Sequence, residues 1–331
     1  MRFGLFTTLA LLLPIIASAQ ALGGSLGGAE NGSFSVSVNP QYPAPYSQAT
    51  LSFLSNSLDL TSAAMTITTT GKKIYQGTVQ PVAIQLGPAG SITTVGVTIT
   101  SGGASYSQTV RVQPQDVVLI AEPISSAPPL YLGKPLIPLE GSVRIVAMAN
   151  LKNVGGRSFD PNTYSYAWTV DGARIANSSG VGKKAIIVAS PLHYRARDVS
   201  VAVVSPDGML VGGASLSFGA EESFVRLYEN DPLLGIRFEQ ALSNQYSIIG
   251  AEATLYAAPF SLSTTNGMPL LQWFLNGAVV QTGNVITLRP SGSGQGNASL
   301  SFVASASDYA KATTNLSISF GAKPDINFFG L

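Results

Sequence analysis

The chain has 331 residues, of which 45% are hydrophobic and only 11% are charged, and it contains no cysteine. Its 18 basic and 17 acidic residues leave a net charge of +1, which gives no general attraction for nucleic acid or for an anionic membrane. This length suits two or three domains of roughly 100 residues each. The shortage of Glu, Lys and Arg, the residues that favour exposed helices, favours β structure instead.

The first nineteen residues have the pattern of a secretory signal peptide. Arg2 supplies the positive end, residues 3–16 form an apolar run, and Ala17-Ser18-Ala19 provides a small-residue cleavage site before Gln20. The run is shorter than the roughly 20 residues that span a bilayer, so we predict cleavage and no transmembrane segment afterwards. The glycine-rich residues 20–30 are predicted to form a linker, and export without cysteine means stability from packing alone.

A local pattern recurs along the chain at intervals of roughly 100 residues, which indicates whole domains in tandem. Trp168-Thr169-Val170-Asp171-Gly172 returns as Trp273-Phe274-Leu275-Asn276-Gly277. An upstream copy runs over residues 67–71, with Ile67 in the place of tryptophan. We therefore expect Ile67, Trp168 and Trp273 to occupy equivalent places in three hydrophobic cores.

Strict alternation of apolar and polar residues follows each copy of the pattern, as in strands with one buried face. The clearest runs are Val95, Val97 and Ile99; Val199, Val201 and Val203; and Leu300 and Phe302. Turn residues separate these runs at the intervals expected of a β-sandwich, and helical spacing is not sustained. The pattern predicts an all-β chain with sandwich domains over residues 31–113, 114–219 and 220–321, followed by a short tail over residues 322–331.

The second and third copies resemble bacterial immunoglobulin-like domains of the PKD-like kind. The resemblance lies in residues 166–172, which match that family's third-strand tryptophan and hairpin, and in residues 199–203 with the turn at 205–208. It implies three tandem immunoglobulin-like antiparallel β-sandwiches. It also implies a tendency toward extracellular adhesion or spacing, and it transfers no catalytic residue.

Residues for catalysis are scarce, and we predict that the chain is not an enzyme. His193 is the only histidine, which excludes a multi-histidine zinc site, and the lack of cysteine excludes a thiolate nucleophile. No G-x-S-x-G motif accompanies His193. A hydrolase using two carboxylates stays open as an alternative, although the acidic residues form no recognisable catalytic segment.

Calcium is the one cofactor for which the sequence offers candidate ligands, because carboxylates can gather where two sandwiches adjoin. Otherwise no cofactor is expected. The candidate ligands are Asp207, Glu221, Glu222, Glu229 and Asp231. The alternative is that these residues form a simple solvated acidic linker.

The sequence predicts a non-enzymatic secreted or cell-surface protein that acts in adhesion, spacing or scaffolding. The alternative is an accessory module that binds a polysaccharide or an appendage. Tyr42, Tyr46 and Tyr131 lie in proline-rich loops and are the aromatic residues best placed for such contact. In either case the expected partner is an extracellular protein or polysaccharide.

Overall fold

The computed structural model describes residues 34–129, 131–291, 295–307 and 310–321. The predicted signal peptide, linker and tail lie outside these ranges. Within the described residues the chain is built from β-strands, with two single 3-10 turns at Pro161–Thr163 and Ala176–Ser178. The predicted all-β fold is confirmed.

The first sandwich consists of two antiparallel sheets, one with strand order β1-β2-β5 and the other with order β4-β3-β6-β7. Alternation puts Val95, Val97 and Ile99 of β6 into the core between the sheets. The strands are β1 (Ser35–Asn39), β2 (Gln48–Leu54), β3 (Ala64–Thr69), β4 (Lys72–Thr78), β5 (Val82–Gln85), β6 (Thr93–Ser101) and β7 (Ala104–Val112).

The second sandwich repeats this arrangement with sheets of order β13-β9-β8 and β11-β10-β14-β15, and β12 pairs with β10. Its core contains Val199, Val201 and Val203 of β14. The strands are β8 (Asp116–Pro123), β9 (Ser142–Asn150), β10 (Ser165–Val170), β11 (Ala173–Arg174), β12 (Gly180–Val181), β13 (Ala185–Ala189), β14 (Arg197–Val204) and β15 (Val211–Phe218).

The third sandwich has sheets of order β17-β16-β19-β22 and β18-β24-β23-β20-β21. Strand β18 pairs in parallel with β24, whereas the other strand pairs are antiparallel. The strands are β16 (Phe224–Asp231), β17 (Gly235–Ile236), β18 (Gln245–Ile248), β19 (Ala253–Phe260), β20 (Leu270–Leu275), β21 (Ala278–Thr282), β22 (Val285–Leu288), β23 (Gly296–Ser305) and β24 (Lys311–Phe320).

The repeated residues occupy equivalent positions in the three sandwiches. Ile67 pairs with Val97 and Trp168 with Val201 across neighbouring strands of the larger sheet. Trp273 stands at the same point opposite Phe302, and the two rings meet edge to face with centroids 4.6 Å apart. Ile67, Trp168 and Trp273 are all fully buried. The shared strand order and these shared positions define three immunoglobulin-like sandwiches in tandem.

Each sandwich has its own hydrophobic core, while the chain as a whole divides into two compact units. The first unit is Met1–Gln115 with Lys152–Arg157, and the second is Asp116–Leu151 with Ser158–Leu331. Within the first unit the buried amide of Gln115 accepts from the backbone N–H of Lys152 and donates to its carbonyl. The division into three independent domains at residues 113 and 219 remains a prediction.

Strand β19 is buried on both faces, unlike the half-buried strands around it. Leu255 and Ala257 enter the main core of the third sandwich, whereas Tyr256, Ala258 and Phe260 form a second cluster on the outer face. Another segment of the chain covers that outer face. Its Tyr131 ring meets the Phe260 ring edge to face, with centroids 5.4 Å apart. A loop following the first strand of the second sandwich therefore packs on the third.

Candidate functional site

A connected set of hydrogen-bonded polar groups lies where the second and third sandwiches meet within the second unit. We call it the second–third junction. It consists of residues 124–126 and 136–138 from the second sandwich with residues 221–223 and 261–264 from the third. The repeat spacing predicts a domain boundary here but does not indicate how the two sandwiches are held together.

The first half of the second–third junction is a short antiparallel ladder of backbone hydrogen bonds. The Ser126 N–H donates to the Leu262 carbonyl at 2.7 Å, and the Ser261 N–H donates back to the Ser126 carbonyl at 3.2 Å. One step further, the Thr264 N–H donates to the Ile124 carbonyl at 3.1 Å. These bonds pair backbone N–H and carbonyl groups that would otherwise lack partners in a buried contact.

The second half joins residues 136–138 to the start of the third sandwich. The Glu221 N–H donates to the Ile137 carbonyl at 2.8 Å, and Pro138 pairs with Glu221 in a parallel bridge. Ser261 connects the two halves, since its hydroxyl lies 2.9 Å from the Glu221 carbonyl and 3.3 Å from that of Ile137. Ser261 is fully buried and has a φ of 60°. A left-handed conformation is uncommon for serine and is held here by the surrounding bonds.

The five carboxylates proposed for calcium are placed in separate environments. Asp207 lies in a turn, where the Ser205 hydroxyl and then the Met209 N–H stabilise its charge and lower its pKa. Glu221 joins the second–third junction through its backbone, while Glu222 lies 3.7 Å from His193. Asp207 and Glu222 thus already have partners of their own.

Glu229 and Asp231 lie two residues apart on β16. The Glu229 carboxylate accepts from the Tyr246 hydroxyl at 3.1 Å and lies 4.0 Å from the Arg237 guanidinium. Asp231 caps its own turn, where the N–H groups of Leu234 and Leu233 lower its pKa. Among the described residues no group of three or more His, Cys, Asp or Glu side chains is placed to hold one metal ion. The structure does not gather the five carboxylates, and calcium binding stays a prediction.

The surroundings of Tyr246 strongly favour its neutral phenol. Burial raises the pKa of its hydroxyl to about 12, and the negative charge of Glu229 and the hydrogen bond to it act in the same direction. Because the phenol keeps its proton, its hydroxyl can donate a hydrogen bond to the Glu229 carboxylate. The pair fixes β18 against β16, which belong to the two opposing sheets.

The proposed contact aromatics differ in exposure. Tyr46 is 69% exposed, Tyr131 is 45% exposed and packs on Phe260, and Tyr42 is half-buried. Burial raises the pKa of Tyr42. The three side chains therefore differ in how much of their surface is exposed, and Tyr46 has the most surface available for a partner.

A concavity of about 520 Å³ on the third sandwich is lined by asparagine and serine residues together with Ala298 and Leu316. Asn297, Ser299, Asn315 and Ser317 are exposed on the paired strands β23 and β24, and they face it together with the turn residues Asn244 and Asn276. The Asn276 amide oxygen accepts from the Ser299 N–H at 2.9 Å, which fixes that side of the concavity. We call it the asparagine concavity. Its lining carries no charge and no aromatic ring.

No helix in the described ranges has the length and apolar character needed to cross a bilayer.

Neither a protein-family model nor a curated protein sequence matches the chain. Solved structures that align with it are arrays of sandwich domains. Three N-terminal domains of the highly immunogenic outer capsid protein of bacteriophage RB49 align over 88% of this chain and 99% of theirs, at 12% identity and a TM-score of 0.24. The central fibronectin-III array of RIM-binding protein aligns over 87% of this chain and 96% of its own, at 8% identity and a TM-score of 0.27.

Proposed function

We propose that the chain is a non-enzymatic extracellular protein whose immunoglobulin-like sandwiches space or scaffold a partner at the cell envelope. The partner class is an extracellular protein or polysaccharide. The signal-like residues 1–19 and the resemblance to PKD-like bacterial domains support export and an adhesive setting. The described residues provide hydrogen-bonded turns and a hydrogen-bonded junction between two domains. These features suit keeping domains in a fixed arrangement better than they suit catalysis.

The observation that carries the proposal is the second–third junction. Interfaces between domains of one chain are usually small and polar, so neighbouring domains are expected to move relative to one another unless further bonds join them. Here backbone bonds run in both directions between residues 124–126 and 261–264, and Ser261 joins that ladder to residues 137 and 221. A spacer needs such a junction, because it must fix the direction in which the next domain points.

The experiment compares binding of mature protein to the envelope of the producing cells with binding by a junction variant. Ser126→Pro removes the N–H that donates to Leu262 and should reduce recovery of the partner while each sandwich stays folded. The matched control is Ser217→Pro, at an exposed position of β15 outside the junction. Equal recovery by the wild type and Ser126→Pro would count against a spacing role, and turnover of an envelope polymer would replace it with a hydrolase.

The asparagine concavity supports a second candidate, an accessory module that binds a polysaccharide. Amides and hydroxyls offer both donors and acceptors, which suits a neutral ligand rich in hydroxyl groups. Affinity electrophoresis in gels containing wall polysaccharides tests this candidate. Asn315→Ala should abolish the retardation of the protein, and Ser217→Ala on β15 should preserve it; retardation unchanged in both variants would reject the concavity as the site.

A further inference from the structure

An apolar cleft of about 280 Å³ opens at one end of the third sandwich. Val280 of β21, Ile286 and Leu288 of β22, and Ile318 and Phe320 of β24 line it. Strands β21 and β22 are each the last strand of their sheet in the described residues, so no further strand pairs with either edge beside the cleft. On β22 the Val285 carbonyl accepts from Nε2 of Gln281 at 2.9 Å, and the rest of that edge faces no neighbouring strand among the described residues. The cleft therefore combines apolar surface with two edges that can accept a further extended segment.

The size of the cleft restricts what can fill it. Sites for small organic ligands usually measure about 300–1,000 Å³, so this one suits one or two large apolar side chains delivered by a peptide. Extended peptides commonly bind by adding to a free strand edge and placing alternate side chains in a groove. The chain itself contains such a peptide a few residues further along the sequence.

Residues 322–331 follow directly on the last strand that lines the cleft. Phe320 is one of the lining residues, and Gly321 after it has a φ of 72°, a left-handed turn that redirects the chain. The sequence of 326–331 is Ile-Asn-Phe-Phe-Gly-Leu, in which four of six residues are large and apolar. Ten residues reach at most about 33 Å when extended, which is ample from a starting point at the cleft.

We propose that the cleft binds residues 326–331 of its own chain. Covalent attachment beside the cleft gives the segment an effective concentration of order millimolar, which favours it over the same segment of a second copy. At the rim, Arg289 donates through Nε to Glu252 at 2.6 Å, and its guanidinium carries further donors suited to Asp325. The phenylalanines supply the side chains for the cleft, and the backbone adds to a free edge.

Disulfide trapping in the full chain tests this binding, and the absence of native cysteine makes each crosslink unambiguous. Val280→Cys, at a cleft position with 49% exposure, is combined in turn with Phe328→Cys and Phe329→Cys. We expect at least one pair to crosslink within a single chain at low protein concentration. The control is Leu270→Cys, which has 55% exposure but lies at the far end of β20, and it should crosslink roughly tenfold more slowly.

The gel separates the possible occupants. A crosslinked monomer whose yield does not depend on concentration supports the proposal. A crosslinked dimer whose yield rises with concentration would assign the cleft to a second copy and overturn binding in cis. Equal rates at positions 280 and 270, or no crosslink with either phenylalanine position, would overturn it as well.

Amide hydrogen exchange gives a second, cysteine-free measurement. The double variant Phe328→Ser with Phe329→Ser should increase the exchange of β21 and β22 amides several-fold, because the edge loses its cover. Asn327→Ser changes the same segment without removing apolar surface and should leave that exchange unchanged. Identical exchange in the two variants would contradict the proposal.

Discussion

The two tryptophans combine complete burial with a hydrogen bond that closes a loop. The indole N–H of Trp168 donates to the Lys183 carbonyl at 2.7 Å, and that of Trp273 donates to the Gly283 carbonyl at 2.9 Å. We expect Trp168→Ala and Trp273→Ala each to lower the free energy of unfolding of its own sandwich by about 3 to 5 kcal/mol. Denaturant unfolding combined with site-resolved amide exchange measures which sandwich is weakened.

Tyr46 provides the matched control for the tryptophan substitutions. Its ring is 69% exposed, so Tyr46→Ala removes a large aromatic side chain with little loss of packing and should stay within about 0.5 kcal/mol of wild type. If the tryptophan variants were as stable as Tyr46→Ala, the indole rings would not be core residues in solution.

Tyr246 links the stability of the third sandwich to alkaline pH. Its folded-state pKa of about 12 lies above the ordinary value of 10.0, so the folded state holds the proton more tightly than the unfolded state. The resulting stabilisation is fully present below about pH 10 and is lost as the pH rises towards about 12. Unfolding curves across that range should fall less steeply for Tyr246→Phe than for wild type. Parallel curves would show that the hydroxyl is not held by burial and by Glu229.

Residue-level prediction from the sequence works where a side chain has one dominant preference. Tryptophan in a repeated strand favours the core because of its size, and Ile67 could be aligned with the tryptophans by spacing alone. Ser261 could not be found in this way, because serine is common in exposed turns and its importance here depends on carbonyls at 137 and 221. The only local signal is the apolar run around it, from Pro259 to Leu262.

At the scale of elements, the second–third junction depends on a close approach that only glycine permits. A Cβ at Gly141, which has a φ of 133°, would lie 2.4 Å from the Ser263 Oγ and 2.8 Å from its Cβ. We expect Gly141→Ala to separate the ladder at 124–126 from 261–264 and to destabilise the junction by about 1–3 kcal/mol. Exchange rates of the Ser126 and Thr264 amides report this directly.

Gly267 separates the steric effect from backbone strain. It has a φ of 120°, but no neighbouring atom lies within 4 Å of the place that a Cβ would occupy, so Gly267→Ala incurs strain without a collision. The Ser126 and Thr264 amides should keep their protection in that variant. Equal loss of protection in both variants would mean that strain alone, and not contact with Ser263, controls the junction.

Prediction of the strands succeeded where alternation was strict, as in β6, β14 and β23. Strand β19 departs from the pattern because Tyr256 and Phe260 are covered on the outer face by other segments, including Tyr131. The parallel pairing of β18 with β24 was also not predicted, since Gln245–Ile248 is only four residues long and its partner lies some seventy residues away. Both features depend on contacts between distant segments, which periodicity does not encode.

At the scale of the whole molecule, the repeat spacing and the hydrogen bonding lead to different expectations about whether the second and third sandwiches fold independently of each other. The repeat predicts three modules that mild protease should separate at residues 113–116 and 219–223. Within the second unit, however, the Glu221 N–H is bonded to Ile137 and the Ser223 hydroxyl donates to the Ser261 carbonyl at 2.7 Å. Protease needs an extended, released backbone, so bonds on both sides of this segment should protect it.

We therefore expect residues 116–321 to unfold in one transition, with the second and third sandwiches stabilising each other, and residues 219–223 to resist limited proteolysis. Separate chains over 116–219 and 220–321 should each melt at a lower temperature than the joined unit, because each loses the shared ladder. Ser126→Pro in the joined unit should give two transitions and make residues 219–223 cleavable. Two transitions in the wild-type unit, at the temperatures of the separate chains, would instead show that the repeats fold independently and that the junction contributes little to their stability.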